Sequence, residues 1–124
     1  MAKYPLPDLK GRTLKYGTAG FREKAEILDS TFFRMGMLAL MRSRKLEKTI
    51  GLMVTASHNA EPDNGIKMVD PDGGMLDQAW EVYAVSLANA RATSPCPQCR
   101  RSFPLSPPFN TLVKICVCFH QKQF

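Results

Sequence analysis

No cysteine occurs in the first 95 residues of this 124-residue chain, so that stretch draws on no disulfide and suits a reducing compartment. No acidic residue follows Glu81, whereas five bases do: Arg91, Arg100, Arg101, Lys114 and Lys122. Residues 1–81 therefore hold 12 bases and 11 acids, a net +1 within a chain of net +6. The basic balance belongs to the C-terminal end, no helix or loop concentrates aromatics with bases, and a nucleic-acid partner is not expected. No apolar run approaches the ~18 residues of a membrane span; Leu112 to Phe119 is short and contains Lys114. Pro5, Pro7 and Asp8 interrupt any signal-peptide pattern at the start. With no membrane segment and no leader in view, a soluble, cytoplasmic chain is the expectation. The sequence holds no internal repeat, and its length suits one modest domain with a real core.

Residues 1–12, rich in Pro, Lys and Gly, read as an irregular arm. Lys15-Tyr16-Gly17-Thr18-Ala19-Gly20-Phe21-Arg22 gives a short extended piece and a turn whose two glycines permit positive φ or close backbone approach. With Asp29 or Ser30 as N-cap, Phe33, Met37, Leu40 and Met41 recur at helical spacing, which predicts a helix over about 31–46 with that apolar stripe inward. Arg34, Arg42, Arg44 and Lys45 fall largely off the stripe. Thr49-Ile50-Gly51-Leu52-Met53-Val54 reads as a buried strand, and Gly65-Ile66-Lys67-Met68-Val69 as a second, ended by the turn Asp70-Pro71-Asp72-Gly73-Gly74. Asp77 is placed to cap a second helix with Trp80, Tyr83, Ala84, Leu87 and Ala88 on one face. The order helix, strand, loop, strand, helix predicts an α/β layer.

Between the two strands lies Thr55-Ala56-Ser57-His58-Asn59-Ala60-Glu61-Pro62-Asp63-Asn64. It puts Ser57 on a polar loop at a strand's carboxyl end, where open α/β sheets commonly form ligand crevices. An imidazole (His58), two amides (Asn59, Asn64) and a cation (Lys67) accompany the hydroxyl, and Arg22 on the glycine-flanked turn adds a second cation. Those groups suit phosphoryl transfer, which needs cations and donors for phosphate oxygens and a proton acceptor for the incoming hydroxyl. Plain turn formation by Ser57, His58 and Asn59 is the alternative that composition leaves open. A hydrolase triad is disfavoured, because Ser57 lies in no G-x-S-x-G elbow and adjacent side chains on extended backbone diverge.

Thr55-Ala56-Ser57-His58-Asn59, preceded by Gly17-Thr18-Ala19-Gly20-Phe21-Arg22 and followed by Asp63-Asn64-Gly65-Ile66-Lys67, resembles the first domain of the α-D-phosphohexomutases. The resemblance covers about residues 13–90. Phe33-Arg34-Met35-Gly36, Val69-Asp70-Pro71 and Leu87-Ala88-Asn89-Ala90 are most similar to the branch that acts on N-acetylglucosamine phosphates. The resemblance implies an α/β fold, a partial first domain with helices packed on a mixed sheet, followed by an irregular tail. It also implies interconversion of N-acetylglucosamine 6-phosphate and 1-phosphate, on the route to UDP-N-acetylglucosamine, through a phosphoserine at Ser57. Arg22, Lys67 and His58 would be catalytic, Asn59, Asn64 and Gly20 would shape the loop and bind the phosphosugar, and Mg2+ would bind Ser57 through its phosphate. The sequence departs from the family in having Ala60 where proline is usual, with Pro62 displaced, and in lacking the metal loop, the sugar loop and the phosphate-binding domain. A chain inactive alone is therefore expected, with a non-catalytic binding fragment as the alternative.

From Arg91 the character changes: five of the nine prolines fall in residues 91–124, which read as a disordered Pro/Cys-rich tail and suggest a truncated or alternatively spliced product. Cys96-Pro97-Gln98-Cys99 with Cys116-Val117-Cys118 and His120 approaches a zinc-ribbon spacing, but only one residue separates the second pair, so incidental cysteines are the favoured reading. Arg101-Ser102-Phe103-Pro104-Leu105-Ser106-Pro107 matches a Pro-rich ligand pattern for SH3-type grooves, a short pattern frequent by chance, and leaves the tail a candidate for a protein partner.

Overall fold

A computed structural model of the chain describes residue 9, residues 11–56, residues 58–90 and, as strand backbone, residues 115–119. The elements are β1 (Phe21–Lys24), α1 (Ala25–Leu46), β2 (Ile50–Val54), β3 (Asp63–Val69), α2 (Gln78–Asn89) and β4 (Ile115–Phe119). They build a four-stranded mixed sheet in the order β1-β3-β2-β4. β3 runs antiparallel to both β1 and β2, and β4 runs parallel to β2 with Ile115 opposite Ile50 and Phe119 opposite Val54. The two strands flanking the serine loop and the turn at 70–74 thus form where the sequence predicts them. The reading of 91–124 as an irregular tail is corrected for Ile115–Phe119, an apolar run short enough for a sheet strand. The rest of the tail and nearly all of the N-terminal arm lie outside the described residues.

Register sorts the side chains by period two. Phe21 pairs with Ile66, Val54 with Ile66 and Leu52 with Met68, so these residues share one face. That face is buried under α1, with Leu28, Met35 and Leu38 fully enclosed beside Phe21, Ile50 and Met68. α2 packs on α1 and adds Trp80, Ala84, Leu87 and Ala88 to the same core. Asp77 caps α2 as predicted, its Oδ1 accepting from the Ala79 N–H at 2.8 Å.

α1 differs from expectation at its start and on its inward face. It begins at Ala25, with Lys24 at the N-cap making no side-chain cap bond, so neither Asp29 nor Ser30 caps it. The Ala25 N–H instead donates to the Pro62 carbonyl at 2.9 Å, a backbone substitute for a cap that lets β1 run straight into the helix. The inward stripe is Leu28, Thr31, Met35, Leu38, Ala39 and Arg42, while Phe33 and Met37 face outward. Arg34 is buried too, donating from Nη1 to the Leu87 and Ala88 carbonyls at 2.8 and 2.9 Å. It closes the last turn of α2, where a cation meets the helix dipole, and burial lowers its pKa.

Two polar side chains tie the N-terminal segment to this core. Asn89 accepts from the Leu14 N–H and donates to the Leu14 carbonyl, both at 2.8 Å, acting as one rung of a strand. Tyr16 packs edge-on against Phe21 and accepts the Met68 N–H at 2.9 Å, beyond the end of the β1 pairing. Burial raises the Tyr16 pKa above its ordinary 10.0, with the Met68 bond opposing and the Glu81 and Asp70 charges adding to the rise. A phenol whose pKa is raised on folding stabilises the fold below its unfolded pKa, and that contribution is lost as pH climbs through the folded value. Denaturant midpoints measured across about pH 9 to 11 are expected to fall for the parent chain. They are expected to stay flatter for Tyr16→Phe, which should also cost about 1 kcal/mol at neutral pH by orphaning the Met68 N–H.

Candidate functional site

Arg22, Gly65 and Lys67 occupy the sheet face opposite α1. Arg22 lies opposite Gly65 in the β1–β3 register, Lys67 is two residues further along β3, and Lys67 pairs with Met53 of β2. Period two therefore sets both cations on one face, beside the end of β2 from which the serine loop leaves. The Arg22 guanidinium is fixed there by two carbonyls: Nε donates to Ala19 at 3.1 Å and Nη1 to Thr55. Thr55 is itself held by its N–H donating to the Gly65 carbonyl at 3.0 Å. Arg22 thus links the glycine turn to the residue two before Ser57.

This geometry needs two glycines. Gly17 and Gly20 exchange backbone bonds of 3.3 and 2.8 Å, closing a tight turn with Thr18 and Ala19 at its tip. Gly20 has φ +75°, and a Cβ there would lie 2.2 Å from the Ile66 carbonyl oxygen and 2.9 Å from Lys67 Cα. At Gly65 a Cβ would sit 2.6 Å from Arg22 Cδ and 2.7 Å from the Thr55 carbonyl oxygen. Gly65, read from sequence only as the start of a strand, is the gap through which Arg22 reaches Thr55.

The loop is a pair of consecutive turns. The Asn59 N–H donates to the Ala56 carbonyl at 2.9 Å, the Asp63 N–H to the Ala60 carbonyl at 3.0 Å, and the Asn59 amide to the Asp63 carboxylate at 3.3 Å. Ser57 lies outside the described residues; its neighbours Ala56 and His58 are buried and exposed respectively. Asn64 falls opposite Glu23 on the face of Ile66, away from Arg22 and Lys67, and its Oδ1 accepts the Gly65 N–H at 2.8 Å. The structure therefore groups Arg22, Lys67, Gly20 and the loop, with Asn64 behind them on the other side of the strand.

Among the described residues no three His, Cys, Asp or Glu side chains cluster as a metal site. Asp63 is engaged by Asn59, and Asp70 by Arg42. The described residues by themselves do not form a magnesium cage. Of the zinc-like set, Cys116 and Cys118 lie in β4 opposite Gly51 and Met53, while Cys96, Cys99 and His120 lie outside the described residues, as does the Pro-rich pattern at 101–107. No described helix is long and apolar enough to cross a membrane.

Residues 36–90 match the family model for phosphoglucomutase/phosphomannomutase, alpha/beta/alpha domain I. The chain belongs to the α-D-phosphohexomutase family. A phosphoacetylglucosamine mutase of Sus scrofa is 58% identical over 89 residues, which are 72% of this chain and 16% of that protein. The chain thus spans about a sixth of the length of that phosphohexomutase. A crystal structure of an N-acetylglucosamine-phosphate mutase in its substrate complex matches with a TM-score of 0.77 at 40% identity, over 94% of this chain and 22% of the other. The Aspergillus fumigatus N-acetylphosphoglucosamine mutase in complex with GlcNAc-6P and magnesium matches with a TM-score of 0.74 at 41% identity, over 88% of this chain and 20% of the other. An alpha/beta/alpha domain has helices on both faces of its sheet; among the described residues here, α1 covers one face and the face of Arg22 and Lys67 carries no helix.

Proposed function

We propose that Ser57 is the phosphoryl carrier of this chain and that residues 13–90 are one segment of a site interconverting N-acetylglucosamine 6-phosphate and 1-phosphate. The observation that supports this reading is Arg22 bound to Thr55 on the same sheet face as Lys67, beside the serine loop. Arg22, held by its two carbonyl bonds, offsets the charge of a transferring phosphoryl group without reorganising during the reaction, and Lys67 adds a second cation on the same face. The Ser57 oxygen forms a bond to phosphorus as the bond from phosphorus to the sugar oxygen breaks. The serine proton leaves to a neighbouring base, for which His58 is the candidate, and the sugar oxygen takes a proton in exchange, for which the Lys67 ammonium is the candidate donor. Asn59, Asn64 and Gly20 hold the loop and its floor. Magnesium, when bound, offsets phosphate charge; Ser57 would contribute through its phosphate, with the other ligands supplied from outside the described residues.

Half of the reaction is all this segment is proposed to perform. The phosphosugar clamp has no counterpart in it, so positioning, a large term in phosphoryl transfer, is missing for full turnover. The test is the rate at which the chain takes a phosphoryl group from N-acetylglucosamine 1,6-bisphosphate with magnesium, for the parent, Arg22→Met and Lys67→Met. Each substitution is expected to slow uptake by about 10²-fold while far-UV circular dichroism stays unchanged. Equal uptake by all three would remove the two cations from the site.

A further inference from the structure

The outward side of α1 has a composition that a solvated helix does not need. Phe33 has a contact within the chain and is still 50% exposed, Met37 is 39% exposed, and Leu40, one turn on, is half-buried. Gly36 lies beside them, with open space around the position a Cβ would take. This apolar stretch is bounded by exposed Asp29 toward the helix start and exposed Arg44 toward its end, neither in an ion pair among the described residues. The spacing 29, 33, 36/37, 40, 44 follows the heptad rhythm of a helix-pairing seam over about 22 Å of helix.

The seam is self-complementary. Placed antiparallel against itself with the two-fold axis between residues 36 and 37, Asp29 faces Arg44, Phe33 faces Leu40 and Gly36 faces Met37. Each contact is then made twice, as in an isologous interface, and the glycine admits the methionine at the centre, where the helices approach most closely. The acid at one end and the base at the other favour the antiparallel pair and oppose the parallel one. We infer that α1 is a homodimerisation surface, pairing antiparallel with α1 of a second copy of this chain through Asp29, Phe33, Gly36, Met37, Leu40 and Arg44.

Sedimentation velocity of the whole chain tests this. The parent is expected to show a monomer–dimer equilibrium between about 1 and 100 μM, the range of weak helix-mediated contacts. Asp29→Arg and Arg44→Asp alone set like charges opposite each other, so each should sediment as monomer with unchanged circular dichroism. Mixed together they restore both opposite-charge pairs, so an equimolar mixture should regain the dimer, as should the double variant Asp29→Arg/Arg44→Asp. Met37→Glu should abolish it in every background. A parent that stays monomeric at about 100 μM, or a dimer indifferent to these charges and to Met37, overturns the inference and assigns the stripe to another part of a chain or to solvent.

Discussion

Gly20→Ala is expected to cost the fold about 3 kcal/mol or more, enough to leave a small domain largely unfolded. Two effects act together. The residue sits at φ +75°, where a Cβ is strained in any surroundings, and that Cβ would lie 2.2 Å from the Ile66 carbonyl oxygen, a backbone atom that cannot swing aside. The neighbouring strand would have to move, and with it Lys67, whose Cα is 2.9 Å from the same point. Gly17→Ala is the control, because it closes the same turn at ordinary φ and a Cβ there meets nothing within 4 Å. A drop in urea midpoint of about 1–3 M for Gly20→Ala, with Gly17→Ala within about 0.5 kcal/mol of the parent, is the expected pattern. Equal stabilities would show that the turn is not locked against β3.

The second large effect is at the far end of the helix layer. Arg42 donates from Nε and Nη2 to the two Asp70 oxygens at 2.7 and 2.6 Å, and the side chains are only 6% and 11% exposed. The guanidinium also lies 4.6 Å over the Trp80 ring, and Asp70 accepts the Asp77 N–H at 3.2 Å. This one pair joins α1, the turn after β3 and the start of α2. Asp70→Ala would leave a cation enclosed with no counter-charge, and a loss of about 3 kcal/mol is expected. A double-mutant cycle with Arg42→Met measures the link. Coupling of about 2 kcal/mol fits the enclosed pair described here, whereas coupling below about 0.5 kcal/mol would place it with ordinary surface ion pairs.

Neither arginine network was legible in the sequence, and the reason is distance along the chain. Arg34 and Arg42 look like solvated positions because their partners, the Leu87 and Ala88 carbonyls and the Asp70 carboxylate, lie 53, 54 and 28 residues away. A pattern of apolar spacing registers neither carbonyls nor a distant acid. The inward face of α1 is hidden from the sequence for a related cause: the helix is apolar on two sides, and Phe33, Met37, Leu40 and Met41 offer as regular a period as the stripe through Met35 and Leu38 that is enclosed. Where one signal stood alone, it held. β2 and β3 are apolar runs bounded by turn residues, and Asp77 precedes a single apolar face, so strand, turn and cap all formed as read.

The site was legible as a list and not as an arrangement. Arg22 and Lys67 are 45 positions apart in the sequence, and only the β1–β3 register places them on one face. The same register sends Asn64 to the other side of the strand, which a motif read along the chain cannot separate from its neighbours. Gly65 carried a usable signal, a glycine inside a strand, which commonly marks a close approach of another group.

Ser57 is proposed to accept a phosphoryl group within this segment. Intact mass of the purified chain after incubation with N-acetylglucosamine 1,6-bisphosphate and magnesium, followed by peptide mapping, tests it with Ser57→Ala alongside. One added phosphoryl group mapping to Ser57, and none on Ser57→Ala, is the result expected here. An unmodified chain that is folded by circular dichroism, or a phosphate that persists in Ser57→Ala, would contradict it.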